Sequence, residues 1–132
     1  MKTITLSNLE ESTAQEVFDH VVAHARKQGV KSGYKEDYKG RFVCMYRDEQ
    51  NNSCFAGCLI SDQEYIDYDV VNNERTNWAT MISNIKLSTN HLGLIRRMQT
   101  THDQHEVYDW EKRFESIANT FGLVYDPVLT NL

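Results

Sequence analysis

The segment from Ala14 to Gln28 constrains the fold of this chain more than any other, because its start, its end and its buried face can all be identified. Thr13 and Glu16 form a capping-box pattern at its start, and Gly29 supplies a stop at its end. The apolar residues follow the i, i+3, i+4, i+7 spacing of one helix face: Ala14, Val17, Phe18, Val21, Val22 and Ala25. The pattern predicts an amphipathic helix whose apolar face must be covered by a second layer of structure.

The chain has 132 residues, enough for one domain that buries roughly two-thirds of the surface of its unfolded form. A single Pro and only six Gly argue against linkers and low-complexity segments. We therefore predict one compact domain over residues 1–132. No apolar run reaches the length of about 18 residues that a membrane span needs, and the N-terminus lacks the apolar core of a signal peptide. The expected location is the cytoplasm, without a membrane partner.

Three cysteines, Cys44, Cys54 and Cys58, fall within one fifteen-residue block. An odd number of thiols in a cytoplasmic protein disfavours a disulfide framework. The segments Arg41 to Arg47 and Cys54 to Ile60 are rich in β-branched, aromatic and cysteine residues, and a polar segment separates them. This pattern predicts a β-hairpin that places all three thiols on one face, where they fill the core as small apolar side chains.

Further helices follow the predicted hairpin. One is expected from about Glu74 to Ile85 with Asn73 as its cap, one after Ser88, and one from about Val107 to Thr120. Ser61 and Glu64 form another capping box and predict a helical turn. The predicted architecture is α+β, with about four helices packed around a small antiparallel β-hairpin. The first and last helices should cover most of the sheet.

The run from Cys54 to Tyr65, preceded by Cys44-Met-Tyr-Arg47, resembles a pattern found in short uncharacterised proteins of tailed bacteriophages and prophages. The similarity extends to the leading helix, to a Thr-His-Asp segment at residues 101–103 and to the last helix. Phe55 departs from the family pattern, which has Ala after the first cysteine of Cys-x-x-Gly-Cys. The resemblance implies a phage or prophage origin and no activity.

A thiol-bound zinc site, in a zinc protein or a small metal-assisted enzyme, is the alternative use of the cysteines. Zinc takes four ligands in structural sites, commonly from C-x₂-C pairs, and this chain has no such pair. The alternative ligands are Cys44, Cys54, Cys58 and His102, with His24 as another candidate for the fourth position. A cysteine nucleophile is disfavoured, because the apolar run around Cys58 raises the pKa of a thiol.

Two histidines four residues apart, His20 and His24, lie on the first helix and offer another metal-binding pair. Residue 21 is Val, so the Glu of an H-E-x-x-H site is absent. We favour the interpretation that these two histidines flank the apolar face of the helix and bind no metal.

The formal net charge of −5 hides an asymmetry, because residues 26–41 carry a local balance of +4. Residues 29–40 are bounded by glycines and predict an exposed basic loop. An acidic stretch with two tyrosines follows at residues 62–74. Exposed tyrosines and charges are common anchors of protein interfaces. The candidate partner-binding residues are Lys31, Tyr34, Lys35, Tyr38, Lys39, Arg41, Tyr65 and Tyr68.

The leading hypothesis is a non-enzymatic, phage-type protein-interaction module that binds and modulates a host or phage protein, without a cofactor. A nucleic-acid binder that uses the basic loop at residues 31–41 is a third hypothesis, since lysines and tyrosines also contact phosphates and bases. The acidic net charge disfavours it.

Overall fold

The computed structural model describes residues 2–35, 42–87 and 91–127. The predicted α+β class is confirmed, with five α-helices and one two-stranded antiparallel sheet in the described residues. The helices and strands, in chain order, are α1 (Ala14–Gln28), β1 (Gly33–Lys35), β2 (Phe42–Cys44), α2 (Asp62–Asp67), α3 (Trp78–Asn84), α4 (Leu92–Gln104) and α5 (Trp110–Phe121).

Helix α1 has the predicted bounds and the predicted cap. The Thr13 side chain accepts from the Glu16 amide, the Glu16 carboxylate accepts from the Thr13 amide, and Gly29 ends the helix in the left-handed conformation with φ of 70°. The predicted face is buried at Val17, Phe18 and the residues that follow them by one turn. Local sequence determined this helix because its caps and its apolar stripe point to the same result.

The predicted hairpin is wrong in its second strand. The sheet pairs β1 with β2 in the register Gly33 with Cys44, Tyr34 with Val43 and Lys35 with Phe42. Residues 54–60 instead form turns and a 3-10 helix over Gly57–Leu59, held by local bonds such as Cys58 N–H to Cys54 O at 2.9 Å. Cys54, Phe55 and Ala56 are buried one after another, so the segment lacks the alternation of side chains between two faces that the predicted strand required.

The polar segment between the predicted strands does form a turn. Arg47 and Ser53 pair in an isolated antiparallel bridge, and the Asp48 carboxylate accepts the amides of Gln50 and Asn52. Its other oxygen accepts the Gly33 amide at 3.0 Å, which attaches the turn to β1. The donors to this buried carboxylate all come from the turn itself and from β1.

The other predicted helices exist with shifted starts. Helix α3 begins at Trp78 with Asn77 as its cap, in place of the predicted Asn73, because residues 70–73 form a 3-10 turn. Ser88, where a helix was predicted to begin, lies outside the described residues, and α4 begins at Leu92. A 3-10 turn precedes α5, which ends at Gly122 in the left-handed conformation as its sequence predicts.

The capping box of Ser61 and Glu64 is confirmed at the start of α2. The Glu64 carboxylate also accepts the amides of Leu6 and Ser7, at 3.0 and 2.9 Å. These bonds hold the N-terminal arm, whose Ile4 and Leu6 are buried in the core. A single carboxylate therefore joins a helix start to the arm more than fifty residues earlier.

The core is built around α4, which packs against α1, α3 and α5. At its centre the Phe55 ring lies 4.7 Å from Trp110 and 5.7 Å from Phe114, measured between ring centroids. The two strands pack mainly on each other. The expectation that the first and last helices cover the sheet is therefore wrong, and the hairpin stands at the edge of the helical body.

Candidate functional site

The three thiols do not converge as the predicted hairpin required. The Cys54 sulfur accepts the Gly57 amide at 3.2 Å, while the Cys58 thiol donates to the Phe55 carbonyl at 3.1 Å. Burial raises the pKa of both thiols well above the usual range. These two cysteines are protonated core side chains at neutral pH, because burial is the largest influence on the pKa of each thiol.

Cys44 and His102, two of the four alternative zinc ligands, do come together, and Asp103 joins them. One potential ligand atom from each lies within 4.8 Å of the others. Cys54 and Cys58 are not members of this cluster in the described part of the chain. Two of the four ligands predicted from the sequence therefore lie in this cluster, and its third member, Asp103, was not predicted.

The hydrogen bonds of this cluster define its protonation. Nε2 of His102 accepts the Ser32 amide at 3.0 Å, so the ring proton is on Nδ1, which donates to Asp103 Oδ1 at 2.8 Å. Burial, followed by the charge of Asp103, raises the pKa of the Cys44 thiol to about 12. Both ring nitrogens of His102 are thus hydrogen-bonded and the thiol is protonated without a metal ion, so zinc would have to displace the thiol proton and one of these hydrogen bonds.

Next to this cluster lies a cleft of about 620 Å³, formed by β2, by residues 74–80 and by α4, which we call the arginine cleft after Arg75 and Arg96 in its wall. The two carboxylates in the wall, Glu74 and Asp103, are satisfied internally. Glu74 accepts the amides of Tyr46 and Arg47, at 2.6 and 3.2 Å, and the hydroxyl of Tyr65. Asp103 accepts from His102 and from Gln99, the latter at 2.7 Å.

The two guanidinium groups of the cleft have no carboxylate within ion-pair distance in residues 2–35, 42–87 and 91–127. Arg75 donates to the Tyr34 hydroxyl at 3.3 Å, and Arg96 is exposed on α4. The buried indole N–H of Trp78, also in the wall, finds no acceptor among the described residues. The carboxylates of the cleft are thus hydrogen-bonded within the fold, whereas its guanidinium groups have N–H donors that an anionic group could still bind.

The described members of the predicted basic loop lie on the hairpin beside this cleft. Tyr34 and Phe42 are 43% and 38% exposed, on opposite faces of the two strands. Lys35 is exposed, and the Lys31 ammonium lies 5.8 Å from the centroid of the Phe42 ring. Three further predicted partner-binding residues, Tyr38, Lys39 and Arg41, lie outside the described residues.

The predicted exposure is wrong for the two tyrosines of the acidic stretch, Tyr65 and Tyr68. Both are half-buried and pack against the core. The Arg47 guanidinium lies 5.2 Å from the centroid of the Tyr65 ring, and burial followed by the hydrogen bond to Glu74 raises the pKa of Tyr65. These two side chains help to hold residues 65–74 in place.

Arg75, Arg96 and Asp103 were not among the predicted site residues. The position of Asp103 beside His102 was the one local signal for it. Nothing in the sequence around Arg75 and Arg96 indicates that these residues, on separate segments, form one wall of a cleft.

No helix in the described segments is both long enough and apolar enough to cross a membrane. Comparisons with known protein families, with curated proteins and with solved structures found no match to this chain.

Proposed function

We propose that this chain is a non-enzymatic, phage-type interaction module that binds and modulates a host or phage protein through an acidic segment of that partner. The acidic segment would lie in the arginine cleft, with Tyr34 of the hairpin against it. The observation that carries the proposal is that the carboxylates of the cleft accept hydrogen bonds from the fold, while Arg75 and Arg96 have no carboxylate partner among the described residues.

The chemistry of the site supports binding over catalysis. Burial, together with the charge of Asp103, keeps the Cys44 thiol protonated, and the ring nitrogens of His102 are hydrogen-bonded, so neither side chain acts as a nucleophile or base in this arrangement. Arginine and tyrosine are enriched among the residues that dominate protein interfaces. The hairpin adds an exposed, largely uncovered element, and a two-stranded sheet gains stability when a partner packs on it.

An acidic protein segment is favoured over nucleic acid by the surroundings of the cleft. The net charge of the chain is −5, which repels a phosphate backbone at long range but is tolerated by a short segment that meets the two arginines directly. Carboxylates also match the planar donor fork of a guanidinium.

Site-specific crosslinking tests the proposal. A photoreactive phenylalanine replaces Tyr34 in the full chain, which is produced in host cells. The control carries the same group in place of Tyr108, which is 84% exposed and lies away from the cleft. Crosslinked residues are mapped by mass spectrometry. We expect Tyr34 to capture a protein through an acidic segment that Tyr108 does not capture. Crosslinking of position 34 to nucleic acid, or to segments without carboxylates, would overturn the proposal.

A synthetic peptide of the captured segment then measures the part played by the cleft. Arg75→Ala combined with Arg96→Ala should weaken its binding at least about tenfold, which corresponds to about 1.4 kcal/mol. Arg97→Ala is the matched control, since Arg97 is also exposed on α4 but does not line the cleft. Equal affinity of the double variant and the Arg97 variant would show that the cleft is not the binding site.

A further inference from the structure

A second cavity, between α1 and residues 53–60, is lined by cations and has no carboxylate among its described lining residues. It has a volume of about 370 Å³, and we call it the basic pocket after Lys2, Lys27 and Arg47. Its floor includes His20, Ala23 and His24, which with Lys27 form one stripe of α1 at helical spacing. Cys58 and Ile60 add an apolar portion.

The cations of the basic pocket come from three separate parts of the chain and are incompletely neutralised. Lys27 has no carboxylate partner among the described residues. Lys2 has one contact, to Glu16 at 3.6 Å, between two side chains that are each 37% exposed. Such an exposed pair contributes little binding energy, so the Lys2 ammonium is available to a stronger anion.

Arg47 supplies a donor that the fold leaves unused. Its Nη1 contacts Asp62 at 2.6 Å and its Nη2 donates to the Ile60 carbonyl at 3.0 Å. Its Nε is buried without an acceptor in the described part of the chain. An unpaired buried donor is costly, and an anionic oxygen in the pocket would remove that cost.

The two histidines shape the pocket without closing it to an anion. Nδ1 of His20 accepts the Ile4 amide, and its Nε2 donates to the Cys58 carbonyl at 2.9 Å. Nε2 of His24 donates to the Ser53 carbonyl at 2.8 Å. Because these bonds tie α1 to residues 53–58, the histidines fix the positions of the surrounding cations and are not a chelating pair.

We propose that the basic pocket binds the phosphoryl group of a small phosphomonoester, with Lys2, Lys27 and Arg47 as its charged contacts. A phosphate dianion matches the three cations that line the pocket, of which Arg47 also contacts Asp62, and the remaining volume beside Ala23 and Ile60 accommodates a compact organic group. Among the described residues the pocket and the arginine cleft share no lining residue, so this site can be tested independently of the proposed protein interaction.

Titration of the full chain with phenyl phosphate, followed by calorimetry and by NMR of the His20 and His24 imidazoles, tests the site. We expect saturable binding that shifts both imidazoles, and at least about tenfold weaker affinity in Lys2→Gln combined with Lys27→Gln. Both lysines are exposed, so the double variant should remain folded, and Lys112→Gln on the exposed face of α5 is the control for loss of a lysine outside the pocket.

Two further titrations determine which class of ligand the pocket binds. Inorganic phosphate should bind more weakly than phenyl phosphate, because it leaves the apolar part of the pocket empty. A short peptide that contains phosphoserine distinguishes a protein-borne phosphoryl group from a free metabolite. Binding of the peptide without binding of phenyl phosphate would overturn the assignment. Imidazole NMR shifts that do not saturate, and that are equal in the Lys112 variant and the double variant, would also overturn it.

Discussion

The backbone amide of Ser32 donates a hydrogen bond of 3.0 Å to Nε2 of His102, although the two residues are 70 positions apart. Ser32 is fully buried, and its hydroxyl donates to the Met45 carbonyl at 2.7 Å. The base of the hairpin is thereby attached to α4 through one imidazole. The same bond fixes the His102 ring beside Cys44 and Asp103, so this cluster connects the sheet to α4.

The first prediction concerns thiol reactivity. With its pKa raised to about 12 from 9.0, Cys44 should contain about a thousandfold less thiolate at neutral pH than an ordinary cysteine. Cys54 and Cys58 should be at least as unreactive. Labelling by a chromogenic disulfide reagent should be slow in native buffer and should reach three thiols after unfolding. Rapid labelling of a thiol in the folded chain would contradict the protonation assigned to this cluster.

The stability of the protein should fall as pH rises above about 9. The reference pKa of Cys54 is 9.0, and burial raises the folded value well above it, so the unfolded chain loses this proton at lower pH than the folded chain. The unfolded state then binds fewer protons, and the free energy of unfolding decreases with pH by up to about 1.4 kcal/mol per pH unit for one buried thiol. Urea unfolding at a series of pH values from 7 to 10 measures the slope.

The comparison variant is Cys54→Ala, which removes one thiol whose pKa is raised by burial. Tyr46, whose pKa is also raised by burial, remains in this variant. The slope above pH 9 should therefore become shallower without vanishing. An unchanged slope would mean that the Cys54 thiol does not cause the alkaline loss of stability.

Replacement of Phe55 by Ala should cost about 3 to 5 kcal/mol of unfolding free energy, because the ring is fully buried among aromatic neighbours. Tyr108→Ala is the control, since that ring is 84% exposed and its removal should change stability by about 0.5 kcal/mol or less. Denaturant unfolding of the two variants gives the difference. A loss below about 1 kcal/mol for Phe55→Ala would place the centre of the core elsewhere.

The two glycines Gly57 and Gly93 should respond oppositely to Ala. A Cβ at Gly57 would lie 2.1 Å from the Tyr46 carbonyl oxygen, so Gly57→Ala must displace backbone and should cost about 1 to 3 kcal/mol or more. A Cβ at Gly93 would have only Phe121 near it, at 3.9 Å, and Gly93 lies in α4. Gly93→Ala should raise stability by up to about 1 kcal/mol. Thermal unfolding of both variants tests the pair, and equal effects would contradict the close approach at Gly57.

Much of the helical structure could be predicted from local sequence. Thr13 with Glu16 and Ser61 with Glu64 mark two helix starts, and Gly29 and Gly122 mark two ends, each through contacts within a few residues. The prediction failed at residues 54–60, because a short apolar run gives the same signal for a strand and for a buried turn. Its structure depends on Gly57 against the Tyr46 carbonyl, and that contact is not visible in the local pattern.

The candidate site divides in the same way. The sequence by itself determined a basic segment with Tyr34 and a block of three thiols, because composition and spacing are properties of the chain. Only the tertiary structure decided that Cys44 lies beside His102 and Asp103, that Tyr65 is half-buried and that Arg75 and Arg96 line one cleft. Each of these outcomes depends on packing between residues far apart in the chain, where burial sets protonation and determines which charges are left without a partner.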